Sequence, residues 1–356
     1  MNAGSNIADY RLSLEGRDLG LGAPTGISVF GIDFGKLLMD RIGPRLIGLQ
    51  LTEKRGGEAD QLDITIHDHD GQMEIPKAGA VLSLALGWKG GADVTLGLVP
   101  KGRFKVDEAE WSGPPDIVTI RARSADFAAS FNVRKERSHR DTTVGAIVAK
   151  VAREQGLQPH CDPALANIPV PVLAQDGQSD MAMIRELGRR HDAVATVKDG
   201  KLILAPIGRG RTAAGKAIAG LLITRASGEA YSYRRAERGQ YGGVEAGWHD
   251  QDAGKRKTVK VGTAVEGRKP KRLKKTYATE ADARRAAEAE QGRMNRAAAE
   301  FGITLALGRP DIFPDRPATL SGFKPEIDAK RWLIAEVMHT LDASGLHSAL
   351  KLQTLT

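Results

Sequence analysis

The stretch from Phe104 to Phe127, FKVDEAEWSGPPDIVTIRARSADF, constrains the fold of this chain more than any other. It reads as two strands about a turn. On the first, Phe104, Val106, Glu108 and Glu110 alternate with Lys105, Asp107, Ala109 and Trp111. On the second, Ile117, Thr119, Arg121 and Arg123 alternate with Val118, Ile120, Ala122 and Ser124, the period of two that sends successive side chains to opposite faces of a strand. Ser112-Gly113-Pro114-Pro115-Asp116 between them cannot extend either strand, because proline lacks an N–H and holds φ at about −65°.

The sequence before this hairpin has the same character. Tyr10–Leu14, Arg45–Glu53, Gln61–Ile66 and Thr95–Val99 are strand candidates, and Ala80–Trp88 is apolar enough to be buried on both faces. A short helix is expected over Phe34–Asp40. The 41 glycines exceed the usual share of about 7% and sit at turn-like positions, as many short strands require. Residues 1–125 are therefore expected to form a first β-domain of sandwich or barrel type.

Residues 126–212 change periodicity. Asp141-Thr142-Thr143 caps a helix in which Val144, Ile147, Val148 and Val151 fall on one face, and Gly156 stops it. A proline-rich loop follows, then Ser179-Asp180 caps a second helix with Met183, Ile184 and Leu187 inward. Ala193–Val197 and Lys201–Leu204 form a hairpin about Lys198-Asp199-Gly200. This is an α+β module inserted between β regions. Residues 213–356 return to β, with strands over Leu221–Ala226, Ala230–Glu237, Gln240–Trp248 and Lys257–Val261, and a final hairpin joining Trp332–Leu341 to His347–Leu352. Thr279 opens an alanine-rich helix running to about Glu300, with Asp282 placed as in a capping box. Its alanines are too small for a coiled-coil seam, so packing on its own β-domain or on a neighbouring subunit is expected.

Composition sets outer limits. The 356 residues, 41% hydrophobic and 27% charged, suit two or three globular domains. No apolar run approaches the roughly 18–20 residues that span a bilayer, and the N-terminus lacks a secretory pattern, so no membrane insertion is expected. A single cysteine, Cys161, excludes an intrachain disulfide and points to folding in a reducing cytoplasm.

Catalytic and metal chemistry finds little support. His67-Asp68-His69-Asp70 could present two imidazoles on one strand face, but no further His or Cys completes a shell nearby, and a solvated turn ending at Gly71 is the plainer reading. His160-Cys161-Asp162 is local in a proline-rich loop, whereas a catalytic thiol and base must converge in space. There is no phosphate-binding glycine loop, nucleophile elbow or zincin motif, and no carboxylate pair is singled out. No cofactor is expected. The net charge of +8 has its densest source in one segment, with Lys255, Arg256, Lys257, Lys260, Arg268, Lys269, Lys271, Arg272, Lys274 and Lys275. Such density could neutralise phosphates, but only Tyr277 lies close enough to stack on a base. A solvated strand pair or a charged subunit contact is the simpler reading.

The hairpin with its S-G-P-P-D turn and I-R-A-R strand resembles the phage late control D family, tail-hub proteins related to the VgrG spikes of injection systems. Pro44-Arg45-Leu46, then Glu58-Ala59-Asp60-Gln61-Leu62, leading to Asp68-His69-Asp70-Gly71, is similar to the family's approach to its D-x-D-G turn. Ser179, Asp180, Ile184, Leu187, Asp199 and Gly200 resemble the VgrG-like helix and hairpin downstream. The resemblance implies an α+β, mostly β chain with two tail-tube-like β-barrel domains, residues 1–125 and 213–356, around an α+β insertion. It further implies a homotrimeric ring of pseudo-sixfold symmetry joining a hexameric tail tube to a separate trimeric spike. Tape-measure and other baseplate proteins are further expected neighbours, and DNA is met only in passage. Assembly in the host cytoplasm and incorporation into a virion tail or injection particle follow, with no catalytic residue inherited. The competing expectations are a DNA-binding regulator acting through Lys255–Lys275 and a peptidoglycan hydrolase.

Overall fold

The computed structural model describes residues 6–15, 45–56, 59–124, 131, 133–198, 200–212, 215–235, 241–250, 253–263 and 267–355. The short helix expected over Phe34–Asp40 lies outside them. The first β region contains β1 (Ile7–Glu15), β2 (Leu46–Lys54), β3 (Gln61–His67), β4 (Val81–Gly90), β5 (Gly97–Ser112) and β6 (Ile117–Ser124). Alternation drives each of them. In β3, Leu62, Ile64 and Ile66 are fully buried while Gln61, Asp63 and Thr65 are not. On β4, Leu82, Leu84 and Leu86 are buried and Val81, Ser83 and Ala85 only partly so, which corrects the expectation of a strand buried on both faces.

The hairpin that opened the sequence analysis forms with the expected turn, but its phase changes partway. A bulge between Val106 and Glu108 leaves Asp107 without a cross-strand partner, so Ala109 pairs with Ile120 and Trp111 with Val118. Ala109 therefore follows Phe104 and Val106 onto the core face, while Glu108 and Glu110 turn outward towards Arg121. Uninterrupted alternation would have placed Glu108 and Glu110 among the buried side chains.

The middle region comprises β7 (Arg134–Thr143), α1 (Val144–Glu154), β8 (Gln158–Cys161), α2 (Pro163–Ala166), β9 (Pro169–Ser179), α3 (Asp180–Arg190), β10 (Ala193–Lys198) and β11 (Lys201–Pro206). The supposed proline-rich loop thus holds two strands and a helical turn. Its prolines fit because Pro163 starts a helix and β9 pairs on one side only, with β7. Thr143 and Ser179 cap the two long helices, their hydroxyls accepting from the Ala146 and Ala182 amides. Both helices pack their apolar faces against the β10-β11-β8 sheet, around Val148, Val151, Ile184, Leu187, Leu202 and Leu204.

The last region runs β12 (Leu221–Thr224), β13 (Gly228–Arg235), β14 (Val244–Asp250), β15 (Lys255–Val261), β16 (Lys271–Tyr277), α4 (Glu280–Ala297), β17 (Ala299–Leu305), β18 (Pro317–Ser321), α5 (Pro325–Asp328), β19 (Arg331–Asp342) and β20 (Gly345–Thr354). Thr279 caps α4 as expected, and the helix ends at Ala297, where β17 follows almost at once. Alanine lets α4 lie close on the β15-β14-β16 sheet, with Ala283 and Ala287 packed on Val244, Ala246 and Val259. The expectation that this helix packs on its own β-region is met.

The two β regions share one sheet. Its order is β1-β4-β5-β6-β3-β2-β19-β20-β17-β13, antiparallel along this path, with β18 antiparallel on β19 and β12 parallel beside β18. Six strands lie on each side of the seam where Gly48–Lys54 of β2 pairs with Glu336–Asp342 of β19. One core fills the first side around Leu51, Ile64 and Phe104, and another the second around Phe301, Trp332 and Leu350. Leu341 and Leu346 cross the seam into the first core. The described residues are mostly β, with the longer helices in the insertion and on the small sheet and the single turn of α5 packed into the second core through Ile327.

Candidate assembly surfaces

The ten basic residues singled out in the sequence come together on the three-stranded sheet that α4 covers. On the face away from the helix, Glu245 of β14 is buried between Lys260 of β15, 3.1 Å away, and Arg272 of β16, 3.3 Å away. Arg256 lies over Gly247 on that face; any side chain there would collide with its guanidinium, so the glycine makes room for it. Lys257, at the end of the helix side, pairs with Asp250 at 2.6 Å and stands over the Trp248 ring. Lys271 bonds Glu290 of α4, and Lys275 is 3.8 Å from Glu186 of α3. Arg268 and Lys269 lie on the exposed approach to β16, with Lys255 and Lys274 exposed on the strands themselves. At least five of the ten thus answer a carboxylate of this chain, which removes part of the positive field the sequence suggested.

A second constellation is buried and joins all three regions. The Lys101 ammonium of β5 lies 2.5 Å from Glu53 Oε2 of β2 and donates to the carbonyls of Pro310 at 3.1 Å and Ile312 at 3.4 Å. Lys198 of β10 reaches the same carboxylate at 3.8 Å and Asp60 at 3.7 Å. His339 of β19 approaches Glu53 Oε2 at 3.4 Å, too far for a good hydrogen bond, and its Nδ1 meets Ser348 Oγ at 2.8 Å. Burial opposes a charge on Glu53, yet His339, Lys101 and Lys198 together hold its carboxyl down at about 2. Burial likewise lowers the His339 imidazole, which stays neutral against Lys101.

Beside it, Arg296 of α4 grips Asp192, at the end of α3, with both terminal nitrogens. Arg55 donates to Gln353 of β20 at 2.7 Å through its side chain and to the Ala335 carbonyl at 2.9 Å through its amide. Asp315 accepts from the Gly208 amide at 3.3 Å; burial lifts its carboxyl to about 6 despite the pull of Arg55. Trp88 adds a bond to the Gly308 carbonyl at 2.9 Å. These contacts fix the insertion and both halves of the sheet in one arrangement. Sequence reasoning missed them because the partners are far apart in the chain. A signal was present: Glu53 and His339 occupy the same inward phase as Leu49 and Leu51, and as Val337 and Leu341.

The remaining sequence candidates resolve into structure. Asp68 is buried; its two carboxylate oxygens accept from the Met73 amide at 2.9 Å and the Trp111 indole at 3.1 Å. Asp70 takes a two-pronged bond from Arg45, which holds its carboxyl down at about 2. His67 and His69 are exposed on either side. The cluster pins the tip of the β5–β6 hairpin. Cys161 is half-buried on β8, and burial beside Asp162 pushes its thiol up to about 11, the opposite of an activated nucleophile. Among the described residues no group of three or more His, Cys, Asp or Glu side chains is placed to hold a metal, and no helix is long and apolar enough to cross a membrane.

Against known proteins, the family model described as phage tail baseplate hub (GPD) matches residues 60–345. The probable baseplate hub protein of Escherichia phage P2 is 40% identical over 390 residues, covering 99% of this chain and 95% of that protein. Among solved structures, the 43 kDa tail protein of prophage MuSo2 from Shewanella oneidensis superposes with a TM-score of 0.64 at 13% identity, over 86% of this chain and 94% of that one. An E. coli component of the type VI secretion system does so with a TM-score of 0.53 at 12% identity, over 97% and 77%.

Proposed function

The chain belongs to the phage tail baseplate hub (GPD) family, and from that premise we propose that three copies close into a ring joining a sixfold tail tube to a threefold spike. A structural hub works through surfaces held in fixed relation to one another. The observation that carries the reading is the division of the sheet at the β2–β19 seam, with six strands on each side. Three chains then offer six half-sheets to six tube subunits while keeping threefold symmetry for a separate spike protein. Such a ring uses heterologous contacts that close by rotation, and it protects strand edges that would otherwise pair indiscriminately. The buried charges around Glu53 and Asp192 support this reading, because the two halves must keep one mutual angle for six sites to be equivalent.

Lys255, Arg256, Lys257, Lys260, Arg268, Lys269, Lys271, Arg272, Lys274 and Lys275 serve in this reading as a charged contact between subunits or as lumen lining that DNA passes. Tube and spike proteins are direct partners, and tape-measure and other baseplate proteins are neighbours. The protein catalyses no reaction and needs no cofactor. It assembles in the host cytoplasm before joining the particle.

Mass photometry of the chain alone, and with its cognate spike and tube proteins, tests the proposal. The expected result is a trimer, either free or formed on the spike. A chain that stays monomeric and ignores both proteins overturns it.

A further inference from the structure

A cleft of about 570 Å³ opens where α3, the turn after β2 and α4 meet. Its volume is in the range of roughly 300–1,000 Å³ typical of sites that hold a small ligand. The floor is made of short side chains, with Ala182 of α3 and Val194 of β10 among them. Four arginines line it from three sides: Arg55, Arg185, Arg189 and Arg293. The two acidic residues on its wall are already committed. Asp192 is held by Arg296, and Glu186 by Arg190 at 2.6 Å with Lys275 beyond.

Arg55 retains a donor. Arg55 Nη1 is buried and has no hydrogen-bond acceptor among the described residues, although Nη2 is bonded to Gln353. Burial lowers the Arg55 pKa although Asp315 and Asp192 pull the other way, so a further anion beside it would offset more of the cost of burial. Arg293 is paired with Glu290 and donates to the Arg189 carbonyl at 2.6 Å, which leaves Arg55 and Arg189 as the guanidinium groups offered to a ligand. The guanidinium is a planar fork that matches a carboxylate bidentately, and several forks over a shallow apolar floor suit an extended chain bearing carboxylates.

We propose that this cleft receives an acidic peptide segment of a partner protein, with glutamate or aspartate side chains on Arg55 and Arg189 and the peptide backbone over Ala182. Charge complementarity selects this occupant. A nucleic-acid duplex presents its phosphates on a convex rod too broad for the cleft, and its natural place on this chain is the open basic face around Arg256 and Arg272. The proposal does not depend on ring formation.

The test is fluorescence anisotropy with the full chain and labelled hexaglutamate, alongside an uncharged hexaglutamine and a short oligothymidylate. Hexaglutamate is expected to bind at least about tenfold more tightly than hexaglutamine. Arg189→Gln should weaken it by a similar factor, as should Ala182→Trp, which fills the exposed floor without removing a charge. A triple change of Arg256, Lys260 and Arg272 to Gln, on the other basic surface, should leave it unchanged. Equal loss in that triple variant, binding that survives Ala182→Trp, or oligothymidylate competing equally for the same site overturns the proposal.

Discussion

Lys101 Nζ and Glu53 Oε2 lie 2.5 Å apart with each side chain only 4% exposed, so that one buried ion pair ties β5 to β2 directly beside the β2–β19 seam. Removing one partner strands the other charge out of water. Glu53→Gln is expected to cost about 3–5 kcal/mol, read as a lower urea midpoint at unchanged slope. Replacing both, Glu53→Leu with Lys101→Met, should recover most of that loss, since matched apolar side chains need no desolvation of charge. A double variant as unstable as the single would show that the pair's geometry, and not the orphaned charge, sets the cost.

The pH dependence of this pair has a defined sign. Glu53 is lowered in the folded state from 4.5 to about 2. Its contribution is therefore complete above pH 4.5 and lost as pH falls towards 2. Glu53→Gln should flatten the acid limb of a stability profile over that window and leave its shape above pH 5 alone.

Asp315 behaves in the opposite way. Burial raises it from 3.8 to about 6, so the folded state pays to ionise it. The penalty is absent below pH 3.8 and full above pH 6, on the order of 3 kcal/mol. Asp315→Asn should raise the melting temperature at pH 8 and change it little at pH 3.5. Asparagine tolerates the residue's φ of 67°. A variant that melts lower at pH 8 would mean that attraction to Arg55 outweighs burial.

His191 provides a counterweight. Burial first, then Arg285 and Arg190, lower it from 6.5 to about 4. Stability held above pH 6.5 is lost as pH falls through that interval, by about 3 kcal/mol. Between pH 4 and 6 the two groups oppose one another, and the wild-type profile should be nearly flat there. His191→Gln alone should make the protein gain stability on mild acidification, and pH-resolved thermal melts decide it.

At the hairpin tip, Asp68 anchors both the Met73 amide and the Trp111 indole. Asp68→Ala should cost about 1–3 kcal/mol by orphaning those donors. Trp111→Phe, at a side chain 51% exposed, should cost less. Coupling between the two in a double-mutant cycle measures the anchor, and additive costs would show that the indole bond contributes nothing.

Local structure was legible in the sequence where one short segment settles it. The caps at Thr143, Ser179 and Thr279, the alternation in β3 and the turn at Pro114-Pro115 each depend on neighbours within a few residues. The bulge at Asp107 was not legible, because a shift of register is decided by what the partner strand offers. β16 was hidden by its charges, since KRLKKTY carries apolar residues only at Leu273 and Tyr277. The buried pairs Glu53–Lys101 and Asp192–Arg296 left only the faint mark of a charge in a core phase. The ten basic residues are adjacent enough to be read as one segment, but the pairing of Lys257, Lys260, Lys271, Arg272 and Lys275 with Asp250, Glu245, Glu290 and Glu186 depended on folding.

The seam between the two halves also dictates an order of events. Arg55 and Gln353, 298 positions apart, are bonded across it, and β2 has no partner on that side until β19 exists. During synthesis the first half and the insertion can fold while the ribosome is still working, but the seam must wait for the last two strands. An interrupted chain would thus display an open strand edge and a Glu53–Lys101 pair that β19 has not yet covered, in place of a finished surface. The fold withholds its rigid form from incomplete copies, so the step that finishes the sheet can also act as a check on which molecules are fit to assemble.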